Sequence, residues 1–338
     1  MRRLFKALTA SALGAAMLLS IAAPSRAQPV EIRMAYGGVP GVISPLLFLK
    51  PEILKHYGKS YTVKSTYIAA TSVALQGMAS GDFDVSYMSF TALASAIVNG
   101  GIDIKVLSDI SSWGSNGHQS VEMIVKAESG INSAADLKGK VLAVTARGTG
   151  FHYALLAHLR KAGLKPTDYT IVEVGRAAMD AALREDRVDL IVTAAPFLFV
   201  TEKKGGVKRL FTPEDAMGDI QSLILVGSTP FLKKNSEVVK DFLEDYIIGL
   251  RWFLDPKNHA EAVKITAAFT KLPLHMFEDF AFTKKDFYRS PTATPDIQAL
   301  QRNIDLMQEL GVLKQKVNVE PYVDLSYLNE AKKRLGLQ

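Results

Sequence analysis

Short apolar runs alternate with amphipathic stretches from residue 30 onward, and the runs repeatedly stop at Ser, Thr, Gly or Pro. Clear examples are the segments 30–41, 83–91, 140–150 and 188–197. A strand followed by small polar residues and the start of a helix is typical of βα units, which build parallel sheets. The pattern therefore predicts an α/β fold with candidate ligand sites at the carboxyl ends of strands, where helix starts favour anions.

The periodicity predicts two successive runs of such units. For the first run we expect strands at 30–36, 61–68, 83–88 and 103–109 and helices near 42–57, 71–80 and 89–99. For the second we expect strands at 140–145, 169–174, 188–193 and 207–211 and helices at 150–162, 176–185 and 196–204. Strands near 120–126 and 221–227 bracket the second run, and we predict that they cross between two lobes as a hinge. Beyond them the pattern turns mostly helical.

A weak internal repeat supports two similar lobes. Segments 78–94 and 183–199 both read as a helix end, a turn, an Asp, an apolar strand, small residues and a new helix. The repeat aligns Asp84 with Asp189. The length of the chain also exceeds what one hydrophobic core usually serves, so two lobes are the expected organisation.

The first 27 residues predict export. Arg2, Arg3 and Lys6 precede an uncharged apolar stretch at 7–23, and residues 25–27 have the small-x-small form of a cleavage site after Ala27. The paired arginines leave twin-arginine export open beside the general secretory route, which we favour. This segment carries four of the 40 Lys and Arg residues and no Asp or Glu, so its removal lowers the formal charge from +6 to +2. We therefore expect a periplasmic protein that does not bind nucleic acid.

Cysteine is absent from the sequence. This excludes a thiolate metal site, a cysteine nucleophile and a lipid-anchored cysteine at the predicted cleavage junction. The six histidines show no metal-ligand spacing with acidic neighbours, and neither a nucleotide-binding glycine motif nor a nucleophile turn is present. We therefore expect no catalytic residues, no metal and no cofactor, and a protein that captures a ligand rather than converting it.

The ordered motifs resemble a known family. Segments 75–97, 131–164, 181–197 and 307–331 are similar in content and order to the periplasmic substrate-binding proteins of ABC importers in the nitrate/sulfonate/taurine-type (NMT1/THI5-like) group. The resemblance implies a type II periplasmic-binding-protein fold, with two α/β lobes joined by a two-strand hinge. It further implies a protein that closes on one small ligand and delivers it to a membrane permease. We expect this protein to be a monomer. The predicted boundaries are 1–27 for the signal peptide, 28–125 and 220–338 for lobe 1, and 126–219 for lobe 2.

The candidate ligand site combines helix starts with one arginine. Thr149, Gly150 and Phe151 follow a predicted strand and would present a hydroxyl and backbone amides to an anion, and Arg147 could add a charged hydrogen bond. Ser and Thr residues at the other strand ends are also placed as helix caps, and aromatic residues could stack on a ligand body. The predicted ligand-binding residues are Gly38, Thr71, Ser72, Ser89, Phe90, Trp113, Arg147, Thr149, Gly150, Phe151, Thr193 and Phe197.

These residues predict an acidic ligand, such as an alkyl sulfonate, a taurine-like compound, or an aliphatic or aromatic carboxylate. Three alternatives stay open at the level of sequence. The ligand could be a neutral heterocycle such as a pyrimidine precursor of thiamine, the protein could be an enzyme on the same fold, or its complex could serve a membrane sensor instead of an importer.

Overall fold

The computed structural model describes residues 28–337, so the predicted signal peptide lies outside the described residues. Two five-stranded sheets form the framework of the molecule. Their strands are β1 (Val30–Tyr36), β2 (Tyr61–Tyr67), β3 (Val85–Ser89), β4 (Ile104–Trp113), β5 (Val121–Lys126), β6 (Val141–Val144), β7 (Thr170–Glu173), β8 (Leu190–Ala194), β9 (Val207–Phe211) and β10 (Ile220–Ser228).

Helices connect and cover the strands. They are α1 (Thr71–Ser80), α2 (Phe90–Asn99), α3 (Gly150–Lys161), α4 (Met179–Arg184), α5 (Phe197–Lys203), α6 (Glu214–Met217), α7 (Thr229–Lys234), α8 (Ser236–Leu254), α9 (His259–Thr270), α10 (Ile297–Glu309) and α11 (Ser326–Arg334). Of these, α7 to α11 follow the last strand, as the helical pattern at the end of the chain predicts. Within the described residues, no helix combines the length and the apolar character needed to cross a membrane.

The two sheets share one topology. The first has the strand order β2-β1-β3-β10-β4 and the second the order β7-β6-β8-β5-β9. In each sheet the first three strands are parallel, and the fourth strand runs antiparallel to its neighbours. We call the parts that carry the first and second sheets the first lobe and the second lobe. The predicted α/β class with two similar lobes is therefore confirmed.

The aligned aspartates of the internal repeat play the same role in both lobes. The carboxylate of Asp84 accepts from the backbone N–H of Arg33 in β1 at 2.9 Å. The carboxylate of Asp189 accepts from the backbone N–H of Val141 in β6 at 2.8 Å. Each aspartate thus ties the start of its own βα unit to the neighbouring parallel strand, which explains why the repeat is visible in the sequence.

The chain passes from the first sheet to the second and back again. The first crossing lies in residues 114–120, between β4 and β5, and the second lies in residues 212–219, between β9 and β10. The strands predicted to cross are present, but β5 pairs only within the second sheet and β10 only within the first. The exact lobe boundaries at 125/126 and 219/220, and a hinge motion about the crossings, stay predictions.

The predicted helix at 42–57 is wrong in type. The segment instead forms two short 3-10 turns at Ser44–Leu49 and Pro51–Ile53. A proline lacks the backbone N–H that an α-helix interior needs, and its ring clashes with the preceding turn. Pro45 and Pro51 therefore permit two separate starts but not one continuous helix.

Candidate functional site

A cavity of about 230 Å³ lies between the two lobes at the carboxyl ends of their parallel strands. The first lobe contributes the loop after β1, the turn from β2 into α1, and the ends of β3 and β4. The second lobe contributes the turn from β6 into α3 and the loop after β7. The position agrees with the general rule for open α/β sheets, in which ligands bind beyond the carboxyl ends of strands.

The start of α3 faces this cavity. Thr149 is the N-cap, and its hydroxyl oxygen accepts from the backbone N–H of His152 at 3.4 Å while donating to the carbonyl of Ala146 at 2.8 Å. The next two residues, Gly150 and Phe151, line the cavity. Amides in the first turn of a helix have no intrahelical acceptor, so this turn presents donors to an anion.

Arg176 is the charged side chain of the cavity. It follows β7 in the second lobe, and its guanidinium approaches the first lobe at Gly38, where an added Cβ would lie 2.9 Å from Nη1. Arg176 is exposed to solvent, although the surrounding protein lowers its pKa and the nearby hydroxyls of Tyr67 and Tyr87 partly offset that effect. Among residues 28–337, no carboxylate forms an ion pair with it.

An aromatic wall joins the lobes beside the arginine. The rings of Trp113 in the first lobe and Phe151 in the second stack with centroids 5.0 Å apart and an interplanar angle of 11°. The guanidinium carbon of Arg176 lies 5.5 Å from the centroid of Phe151. The distance suits a cation–π contact, so the ring is held between an indole and a cation.

Gly150 permits the close approach of the two lobes. A Cβ at this position would lie 3.0 Å from the Trp113 ring and 3.2 Å from the Phe90 ring, both in the first lobe. These separations are tighter than ordinary van der Waals contact. Any side chain here would therefore hold the start of α3 away from the first lobe.

Hydroxyl groups form the edge that the first lobe presents. The hydroxyl of Ser89 caps α2 by accepting from the backbone N–H of Ala92 at 3.2 Å. It also contacts the hydroxyls of Thr71 at 2.9 Å and Thr91 at 2.7 Å. Thr71 was predicted as a cap, but the N-cap of α1 is Ala70, and the Thr71 hydroxyl bonds to Ser89 instead. This edge is polar but carries no charge.

A buried ion pair supports two walls of the cavity. Arg289 and Asp286 are fully buried, with Nη1 3.0 Å from Oδ2. The Arg289 guanidinium also donates to the carbonyl of Pro40 at 2.6 Å and to that of Phe287 at 3.0 Å. The ring of Phe287 and the loop that contains Pro40 both border the cavity, so Arg289 positions them from behind without facing the ligand space.

The structure brings together seven of the twelve predicted residues at the cavity. They are Gly38, Thr71, Ser89, Trp113, Thr149, Gly150 and Phe151. The remaining five do not line it.

Arg147 points away from the cavity, because its guanidinium donates to the carbonyl of Ile171 on the neighbouring strand. Phe90 is completely buried and packs behind Gly150. Thr193 is buried within β8, where it pairs with β5. Ser72 lies on the exposed side of α1, and Phe197 starts α5 outside the lining. The arginine that lines the cavity is therefore Arg176 and not Arg147.

Sequence reasoning missed Arg176 and Tyr87, both of which line the cavity. The internal repeat, which spans 78–94 and 183–199, does not reach Arg176. The topology makes β7 the counterpart of β2, so Arg176 occupies the turn that corresponds to Thr71. Thr71 is predicted because its hydroxyl suits a helix cap, and an arginine at the matching turn gives no such signal.

No group of three or more His, Asp or Glu side chains suited to hold a metal ion occurs in the described part of the chain. The cavity instead offers helix-start amides, one guanidinium, hydroxyls and aromatic rings. This combination can bind an anionic group and cover an apolar body.

Two curated relatives from Escherichia coli K12 match the chain. It is 28% identical over 203 residues to a taurine-binding periplasmic protein, covering 57% of this chain and 60% of that protein. It is 27% identical over 204 residues to a putative aliphatic sulfonates-binding protein, covering 59% of this chain and 61% of the relative. The matches thus span less than two thirds of either relative. Both are named as binding proteins, which agrees with the prediction of capture without catalysis.

The fold is shared with solved structures. The periplasmic aliphatic sulphonate binding protein SsuA from Escherichia coli superposes with a TM-score of 0.66 at 20% identity, covering 88% of this chain and 92% of that one. This likeness confirms the predicted two-lobed periplasmic-binding-protein fold. A model of the family described as NMT1/THI5 like matches residues 70–259, which is more than half of the chain. The chain belongs to the NMT1/THI5-like family.

Proposed function

We propose that this protein is the periplasmic solute-binding component of an ABC importer and that it captures a small organic anion, a sulfonate or a carboxylate, between its lobes. The observation that carries the proposal is the guanidinium of Arg176, which lies in the interlobe cavity without a carboxylate partner in the described chain. A guanidinium without a counter-charge is free to form charged hydrogen bonds with a bound anion. The names of the two curated relatives support the same class of ligand.

The proposed residues act in two groups. Arg176 and the first-turn amides at Gly150 and Phe151 bind the anionic group. The rings of Trp113 and Phe151 cover the body of the ligand. The lobes, with the proposed boundaries 28–125 plus 220–338 and 126–219, close about the two crossing segments, and the closed form docks on the membrane permease as a monomer. No bond in the ligand is made or broken.

Thermal shift followed by calorimetry tests the proposal. Purified protein is screened against alkyl and aryl sulfonates, aliphatic and aromatic carboxylates, nitrate and pyrimidines, because a ligand specific to the folded state raises the melting temperature. We expect a one-to-one complex with an organic sulfonate or carboxylate, and recovery of that ligand unchanged after prolonged incubation. Tight binding of a neutral pyrimidine without any acid, or turnover of a bound acid, would contradict the proposal.

A further inference from the structure

Three hydroxyl groups at the cavity donate their protons to backbone carbonyls. The Ser222 hydroxyl donates to the carbonyl of Ser111 at 2.7 Å, and the Tyr87 hydroxyl donates to the carbonyl of Ile68 at 2.6 Å. Thr149 likewise donates to Ala146 at 2.8 Å. The lone pairs of these oxygens remain available to a ligand, but they bring no negative charge. The charged donor to an anion is therefore the guanidinium, and the helix-start amides add uncharged donors.

In the described part of the chain, the lining of the cavity carries a positive charge but no negative charge. Among the lining side chains of the described residues, Arg176 is the one that carries a full charge, and no carboxylate is among them. Glu173, on the strand that precedes Arg176, accepts from the backbone N–H of Arg147 at 2.7 Å and is not part of the lining. An anionic group would thus find a counter-charge in the closed site, whereas a cationic group would find none.

The remaining walls are apolar and the space is small. Val42, Trp113, Phe151, Leu223 and Phe287 contribute carbon surface, and the volume of about 230 Å³ lies below the usual range of drug-sized sites. Covering apolar groups with these walls is favourable, whereas burying an ammonium group against them without an acceptor of opposite charge is costly.

Granted the proposed function, we propose that the ligand is a monoanion with an uncharged, apolar body and that the site rejects zwitterionic acids. Specificity would then differ from that named for the taurine-binding relative, because taurine places an ammonium group at the end opposite its sulfonate. The walls formed by Trp113, Phe151 and Phe287 would determine this selectivity, while Arg176 binds the headgroup common to both classes.

Matched pairs of ligands test the proposal, since each pair differs by a methyl group in place of an ammonium group. The pairs are propane-1-sulfonate with taurine, butanoate with 3-aminopropanoate, and 4-ethylbenzoate with 4-(aminomethyl)benzoate. In calorimetry at pH 7 we expect the uncharged-body member to bind at least about 30-fold more tightly in every pair that binds. Equal affinities, or tighter binding of the zwitterion, would overturn this inference and leave the proposed function intact. If no acid of any pair binds, both fail.

Two variants at one position test the physical cause. Thr71 lines the cavity at the first position of α1, where an added carboxylate is favourable to the helix. Thr71→Asp adds a negative charge to the wall and keeps an acceptor for the Ser89 hydroxyl, whereas Thr71→Asn has the same shape without the charge. The ratio of the dissociation constant of taurine to that of propane-1-sulfonate should fall about tenfold in Thr71→Asp and stay unchanged in Thr71→Asn. A preference that is the same in both variants would show that the missing counter-charge is not the cause.

Discussion

One arginine lies behind the cavity walls and another lines the cavity, and the two are held in opposite ways. Arg289 of the first lobe is fully buried, and its guanidinium donates to Asp286 and to the carbonyls of Pro40 and Phe287. Arg176 of the second lobe reaches the same cavity without a carboxylate partner among residues 28–337. A buried cation with several partners fixes the structure around it, whereas a cation without a counter-charge can form charged hydrogen bonds with an arriving anion. Arg289 therefore supports the structure of the site, whereas Arg176 is the residue proposed to recognise the ligand.

The same contrast holds for the two lobes as a whole. Their sheets have the same strand order, and both place helix starts at the cavity. Corresponding turns nevertheless differ, since the turn after β2 presents the hydroxyl of Thr71 and the loop after β7 presents the guanidinium of Arg176. Both lobes therefore place similar turns at the cavity, and a residue of the second lobe provides the charge.

The largest expected effect is a loss of stability caused by a substitution in the first lobe. Arg289→Met leaves Asp286 buried without its cation and should lower the free energy of unfolding by about 3–5 kcal/mol. Urea denaturation measures this loss. As a control, Lys126→Met removes a surface pair with Asp186, which is 81% exposed, and should cost less than about 1 kcal/mol. Similar small losses in both variants would mean that Arg289 does not support the cavity walls.

The next effect tests contact between the lobes. Gly150→Ala places a Cβ against Trp113 and Phe90 and should weaken binding of the acid identified in the screen about tenfold, or about 1.4 kcal/mol. Alanine is a better helix former than glycine, so the stability of the unliganded protein should not fall. Calorimetry and thermal denaturation give the two readings. Unchanged affinity would show that the lobes need not approach this closely in the complex.

We expect a histidine of the second lobe to make the stability of the protein depend on pH. Burial, together with the positive charge of Arg147, lowers the pKa of His152 to about 4, below the ordinary value near 6.5. A depressed histidine pKa means that stability is fully present above pH 6.5 and declines as the pH falls toward 4. Since the ring is half-buried, solvent screening reduces the expected loss to about 1 kcal/mol.

The His152→Gln variant isolates this contribution. Its unfolding free energy should fall less than that of the unsubstituted protein between pH 7 and pH 4.5, as followed by urea denaturation at both values. Parallel declines in the two proteins would assign the pH dependence to other groups.

The smallest expected effect on stability is at the other arginine. Arg176→Met removes an exposed cation that has no carboxylate partner in the described chain, so the stability of the unliganded protein should change by less than about 0.5 kcal/mol. Denaturation in the absence of ligand measures the change. A loss of unfolding free energy as large as that of Arg289→Met would show that both arginines stabilise the fold, and it would contradict the contrast drawn between them.

Much of the fold could be predicted from the sequence, because strand and helix periodicities are local. The strand at Val30–Tyr36 and the helix at Thr71–Ser80 begin and end where the pattern predicts. The internal repeat reflects a contact that recurs in both lobes through Asp84 and Asp189. The segment at 42–57 was misjudged, since apolar spacing was given more weight than its two prolines.

The site was predicted only in part, because side-chain direction depends on neighbouring strands. Thr149 and Gly150 follow from the strand-to-helix pattern alone and do line the cavity. Arg147 adjoins the same turn, but β7 offers it a carbonyl acceptor on the outer side. Arg176 carries no local signal that distinguishes it from a solvent-exposed arginine, and its role depends on how close Gly38 of the other lobe comes.

Calorimetry on two variants tests the central claim most directly. Arg176→Met and Arg147→Met are titrated with the acid identified in the screen, beside the unsubstituted protein. Loss of a charged hydrogen bond to the ligand should weaken binding to Arg176→Met by about 2–3 kcal/mol, while Arg147→Met should bind within about 0.5 kcal/mol of the original affinity. Full affinity in Arg176→Met, or a large loss confined to Arg147→Met, would contradict the account.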